Sequence, residues 1–152
     1  EPVCTHDGIH FVNDSKATNA EAAEKALRSF SSIYWIAGGE AKDGGISGIT
    51  HALSNVVRAY LIGASADDFA HDVGGSIPHR ISGTVEQALA DAIADASADH
   101  LPDATILLAP AAASFDQFRN FEARGDAFRA AALNWAEETT PRDTTNGEAM
   151  NV

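Results

Sequence analysis

Ile33-Tyr34-Trp35-Ile36-Ala37-Gly38-Gly39 decides how the rest of the chain is read. The apolar run is too short for a helix, rich in aromatic and branched side chains, and stopped by two glycines. That is the pattern of a strand buried on both faces. The same grammar recurs at Ala59-Tyr60-Leu61-Ile62 before Gly63 and at Thr105-Ile106-Leu107-Leu108-Ala109 before Pro110. A proline suits a strand's end because it has no N–H for a ladder.

Between these runs the spacing turns helical. Thr18 and Glu21 read as a capping box, with Ala20, Ala23, Leu27 and Phe30 recurring behind them, so a helix is expected over about Asn19–Phe30. A modest helix is expected over about Ile49–Val56 and a short one over Ser65–Val73. Arg80–Ser82 reads as a short strand. Thr84 and Gln87 form a second box ahead of the stripe Val85, Leu89, Ile93 and Ala96, with Asp91, Asp95 and Asp99 on another, solvated face. Ser114 and Gln117 form a third box, followed by Phe115, Phe118 and Phe121 as core candidates. Gly125 reads as an interruption, with Asp126 capping a last helix through Ala136. At the start, Val3–His6 and Ile9–Asn13 flank Asp7-Gly8, a strong hairpin signal because both turn residues need positive φ. Buried strands alternating with capped helices mean an α/β domain. Its sheet is mostly parallel and covered on both faces, with an antiparallel N-terminal hairpin. Residues 1–138 are expected to form this domain, and 139–152 a flexible polar tail.

Composition narrows the function. The 152 residues suit one domain with a real core. Ten Lys plus Arg stand against 22 Asp plus Glu, a net charge of −12 that repels phosphate backbones and anionic lipid. No apolar run reaches the roughly 18 residues of a membrane span. A single cysteine, Cys4, excludes an internal disulfide and a thiolate zinc site, and is expected to pack rather than react. The six histidines show no metal-ligand spacing, and no metal site is expected. No P-loop, dinucleotide fingerprint or nucleophile elbow is present. Residue 1 is Glu with no signal peptide behind it, so the chain reads as a piece of something longer.

In a parallel sheet, ligands bind beyond the carboxyl ends of the strands. Asp14–Asn19, Gly38–Gly45 and Ala111–Asn120 fall there. Two of the chain's three lysines, Lys16 and Lys42, lie in these segments, and Arg119, Arg124 and Arg129 lie in or after the third. Two segments run into helix N-termini, where free N–H groups favour an anion. From spacing alone, a carboxylate or phosphate site and two ordinary solvated lysines remain equally open.

Three strings in these segments carry a resemblance: Phe11-Val12-Asn13-Asp14-Ser15-Lys16-Ala17-Thr18-Asn19, Ile36-Ala37-Gly38-Gly39-Glu40-Ala41-Lys42-Asp43, and Ser114-Phe115-Asp116-Gln117-Phe118-Arg119-Asn120-Phe121-Glu122-Ala123-Arg124-Gly125. Together, in order, the chain resembles the C-terminal domain of the D-glutamate-adding members of the Mur ligase family, over about Gly8 to Trp135. The resemblance implies a Rossmann-like fold and a cytoplasmic, usually monomeric enzyme of peptidoglycan precursor synthesis. ATP with Mg2+ would activate the carboxylate of UDP-MurNAc-L-alanine as an acyl phosphate, which the D-glutamate amine attacks. The P-loop and metal ligands belong to a central domain not found in this chain, so the chain alone is expected to be inactive. Thr18 and Lys42 match positions that hold the α-carboxylate of D-glutamate. Ser114 matches a γ-carboxylate contact, helped by main-chain groups near Phe115 and Phe121. Asp14 and Lys16 match the nucleotide side. Phe115 and Arg119 stand where other members carry different residues, without touching this chemistry. A sister ligase, a folylpolyglutamate synthetase or a non-catalytic anion-binding module are the competing readings. The Asp-Asn-Pro-Arg string of the diaminopimelate-adding relatives is missing.

Overall fold

In the computed structural model, residues 1–140 are described. The chain opens with β1 (Pro2–His6) and β2 (Ile9–Asn13), paired antiparallel across a turn in which Asp7 and Gly8 take φ of 52° and 78°. Both central residues are left-handed, as the Asp-Gly signal requires. Then come α1 (Ala20–Leu27), β3 (Ile33–Gly38), a 3-10 helix (Ser47–Ala52), β4 (Val56–Ile62), α2 (Ala66–Val73), β5 (His79–Gly83), α3 (Val85–Asp99), β6 (Thr105–Leu108) and α4 (Phe121–Thr139). One six-stranded sheet runs β1-β2-β6-β3-β4-β5, parallel except for the hairpin. The fold is the α/β three-layer arrangement expected.

The period-2 alternation of the strands sorts side chains into two cores. Ile33, Trp35 and Ala37 of β3 face α1, the 3-10 helix and α2; Tyr34 and Ile36 face α3 and α4. All six residues of β3 are buried, which is why no polar position interrupts the run. The Trp35 indole N–H donates to the Ala109 carbonyl at 2.7 Å and ties β3 to the end of β6 inside the core. Cys4 packs against the second core, and burial raises its thiol pKa.

Several local expectations are corrected. Asn19, not Thr18, caps α1, its side chain accepting from the Ala22 N–H at 2.8 Å. The helix expected over Ile49–Val56 is the short 3-10 helix, because the chain must already extend at Val56 to pair with Ile33. Thr84 does cap α3, at 3.2 Å from the Gln87 N–H. Asn120, not Ser114 or Asp126, caps α4, accepting from the Ala123 N–H at 2.7 Å. Gly125 lies inside that helix without breaking it. A Cβ there would stand 2.7 Å from the Asn13 amide, so the glycine marks a close approach.

The acidic stripe of α3 is a solvated face only in part: Asp99 is exposed, Asp91 and Asp95 are half-buried, and all three accept hydrogen bonds. Asp99 accepts from the Tyr34 hydroxyl and Asp95 from the Tyr60 hydroxyl, each at 2.7 Å, and Arg58 pairs with Asp95 at 3.2 Å. Asp91 accepts from Ser82 at 2.8 Å. Two tyrosines buried in the sheet must place their hydroxyls somewhere, and α3 supplies the acceptors. Of the expected tail, Thr139 closes α4, Thr140 follows it, and 141–152 lie outside the described residues.

Candidate functional site

Strand β6 lies between β2 and β3, and the chain leaves it to the opposite side. After β2 and β3 it passes to the layer of α1, the 3-10 helix and α2; after β6 it passes to the layer of α3 and α4. The connections therefore part around the carboxyl end of β6 and leave a crevice, the place where open α/β sheets bind ligands.

Backbone straps draw the flanking loops onto the segment after β6. Ala111 donates to the Ala17 carbonyl at 2.9 Å. Glu40 and Ala113 pair as an isolated antiparallel bridge, with N–H to carbonyl distances of 2.8 and 3.0 Å. The Asp116 carboxylate accepts from the Ala64 N–H at 2.8 Å, and the Gln117 side-chain amide donates to the Gly83 carbonyl at 2.9 Å. Gln117 thus serves the loop's anchorage and not a capping box. Thr18 stands one residue beyond the Ala17 strap, Lys42 two beyond Glu40, and Ser114 directly after Ala113. The three residues come from three loops tied to one short segment.

Their environments differ. Ser114 is 2% exposed, and its hydroxyl has no hydrogen-bond partner among the described residues. Thr18 is half-buried, while Lys42 and Lys16 are exposed and enter no ion pair among the described residues. Phe115 is 66% and Phe121 39% exposed, against the expectation of core for both; only Phe118 packs against the second core. Asp14 is half-buried. With Lys16, Asn19, Glu21 and Lys25 it lines a groove of about 560 Å³ beside the first turns of α1.

Arg124 is the residue that spacing missed. Spacing marks it only as one of three arginines near strand ends. Arg119 is exposed, and Arg129 pairs with Glu1 at 2.8 Å. Arg124, from the first turns of α4, is 1% exposed. Its Nε donates to the Ser15 hydroxyl at 2.9 Å and its Nη2 to the Ser15 carbonyl at 2.8 Å. The Ser15 hydroxyl in turn donates to the Phe121 carbonyl at 2.7 Å. Nη1 has no partner among the described residues, and a Cβ on Gly39 would stand 3.1 Å from it. Burial lowers the Arg124 pKa to about 10, opposed by the charge of Asp116, so the guanidinium stays protonated at neutral pH. No pattern of apolar spacing reveals such a residue.

One strand end thus gathers a buried hydroxyl, a buried guanidinium and an exposed lysine, donor types that pair with anions. The family model described as "Mur ligase, glutamate ligase domain" matches residues 1–112 of the chain. The chain belongs to the Mur ligase family. Among its relatives, the UDP-N-acetylmuramoylalanine–D-glutamate ligase of Rhizobium meliloti (strain 1021) is 54% identical over 128 residues, covering 84% of this chain and 28% of the relative. The ligase of the same name from Mesorhizobium japonicum is 52% identical over 132 residues, 87% of this chain and 28% of the relative. That of Brucella abortus (strain 2308) is 54% identical over 134 residues, 88% of this chain and 29% of the relative. The Mur ligase domain described here spans little more than a quarter of the length of these relatives.

Proposed function

We propose that this Mur ligase domain holds D-glutamate for an ATP-dependent ligase that adds it to UDP-MurNAc-L-alanine in cytoplasmic peptidoglycan precursor synthesis. The observation that carries this reading is the buried Ser114 hydroxyl after β6, without a partner among the described residues and flanked by loops bearing Thr18 and Lys42. D-Glutamate has two carboxylates and needs two anion sites. Lys42 and Thr18 serve the α-carboxylate. Ser114, with main-chain groups near Phe115 and Phe121, serves the γ-carboxylate. An unsatisfied buried hydroxyl costs folding free energy, and a ligand carboxylate offsets that cost.

The family's use of ATP and Mg2+ is tested by what this chain offers. Three successive N–H groups of the glycine-lysine loop are already taken: Gly38 donates to Pro110 O at 2.9 Å, Gly39 to Ser65 Oγ at 3.1 Å and Glu40 to Ala113 O at 2.8 Å. They do not form a phosphate cradle. Among the described residues no group of three or more His, Cys, Asp or Glu is placed to hold a metal. No phosphoryl step is assigned to this chain. Asp14 and Lys16 face the nucleotide side, and further domains supply the cradle, the metal and the acyl phosphate. The contribution of this domain is positioning. It fixes the amine donor in attack geometry, and its closure excludes water. Alone, as a monomer, it binds and does not catalyse.

An NMR titration of the chain with D-glutamate, with L-glutamate as control, tests this. Saturable shifts at Thr18, Lys42, Ser114 and Phe121, larger for the D enantiomer, are expected. Adding separately made upstream domains, ATP and UDP-MurNAc-L-alanine is expected to restore amide formation. Absence of both the shifts and restored synthesis overturns the reading.

A further inference from the structure

We infer that Ser15 and Arg124 form a clamp that couples the amino-acid side of the site to its nucleotide side, acting as positioning residues. The inference rests on the D-glutamate reading for its ligand, though not for its geometry. The Ser15 hydroxyl has two engagements: it accepts from Arg124 Nε at 2.9 Å and donates to the Phe121 carbonyl at 2.7 Å. Arg124 Nη2 takes the Ser15 carbonyl at 2.8 Å as well. Three hydrogen bonds thus lock the loop carrying Asp14 and Lys16 to the first turns of α4, across more than a hundred residues of chain. A shift of either piece breaks bonds on both sides of the serine.

The chemistry of the clamp is out of proportion to a packing role. Arg124 is 1% exposed with no carboxylate in ion-pair range among the described residues, and it sits at the positive end of a helix dipole. Burying a charge without a counter-ion is costly, and an apolar side chain would fill the space at less cost. The planar fork provides three separately directed donor groups, which a lysine cannot reproduce. Two of them hold Ser15. The third, Nη1, lies beside Gly39 in the glycine-lysine loop, so the guanidinium carried by α4 reaches both the loop of Lys16 and the loop of Lys42. Movement of the Phe121 main chain on ligand binding is therefore passed through Ser15 to Lys16.

The test follows backbone amides of the 152-residue chain during D-glutamate titration in wild type, Ser15→Ala and Arg124→Lys. In wild type, Lys16 and Ala17 respond along with Ser114 and Phe121. In folded variants, Ser114 and Phe121 still respond, the Lys16 and Ala17 response falls below about a third, and affinity weakens at least about 5-fold, the lower end of typical site coupling. Variants whose Lys16 and Ala17 respond as in wild type overturn the clamp. If wild type binds no D-glutamate, the ligand reading has failed, and a ligand-free measurement decides the clamp. Removing the α4 cap with Asn120→Ala is expected to speed hydrogen exchange at Ala17 and Thr18 in wild type but not in the Ser15→Ala background. Unchanged exchange in the Asn120→Ala chain overturns the coupling whether or not D-glutamate binds.

Discussion

Glu40 and Ala113 face each other as a two-way backbone pair, 2.8 Å from Glu40 N to Ala113 O and 3.0 Å in return. This bridge joins the loops after β3 and β6 at the point where their connections part to opposite faces. It ties the loop that carries Lys42 to the segment that carries Ser114. Gly39 makes it possible. Its φ is +140°, and an added Cβ would meet the Ala113 carbonyl at 2.3 Å.

Gly39→Ala is therefore expected to lower stability by about 2 kcal/mol or more, since it combines backbone strain with a clash against the bridge. Urea denaturation checks this. A lower midpoint with unchanged slope is expected, and a wild-type midpoint would mean the loop relaxes freely.

Lys42→Ala is expected to weaken D-glutamate use by the complete ligase, mainly through KM. Lys42 is exposed and unpaired among the described residues, so the fold loses little when it goes. An unchanged KM would remove Lys42 from the site.

Ser114→Ala and Asn120→Ala are expected to differ in kind. The Asn120 side chain caps α4, and losing it costs about 1 kcal/mol. The Ser114 hydroxyl has no partner among the described residues, so its removal leaves the melting temperature unchanged or slightly raised while D-glutamate affinity falls. A marked drop in melting temperature for Ser114→Ala would show that the hydroxyl is already engaged in the unliganded fold.

Alkaline pH is expected to unfold the chain as its only two tyrosines ionise. Burial, and then hydrogen bonding to Asp99 and Asp95, raises the pKa of Tyr34 and of Tyr60 well above the ordinary value of 10.0. A raised pKa means the fold favours the neutral phenol. That stabilisation is complete below about pH 10, the unfolded value, and is lost as pH rises beyond it. Arg124, with its pKa lowered to about 10, pulls the other way over the same range but is one group against two. Tyrosinate absorbance and loss of far-UV dichroism should rise together. Tyrosinate appearing in a folded chain near pH 10 would contradict the burial.

Much of the architecture was legible because its signals are local. An unbroken apolar run reads as a strand buried on both sides, and Asp7-Gly8 reads as a turn, since neighbours in sequence suffice for both. The capping boxes were less faithful. Thr84 caps, but Thr18 and Ser114 match the same pattern and do not, because Asn19 and Asn120 stand where the backbone enters the helix. Phe115 and Phe121 misled because apolar character shows a preference for burial but not whether a residue lands in the core or on the surface. Asp95 and Asp99 misled in the opposite sense, as their partners are tyrosines on strands distant in the sequence.

The amino-acid sequence by itself determined the strands, the helical segments, the hairpin and, through three motifs in order, the family. Only the tertiary structure decided which of those residues meet. It buried Arg124, gave it to Ser15, and left the Ser114 hydroxyl without a partner among the described residues. The reason is physical: strand and helix periods arise from interactions a few residues apart. A buried donor's choice of acceptor depends on what long-range packing brings within 3 Å, as it does for Arg124 and Ser15 at 2.9 Å across 109 positions.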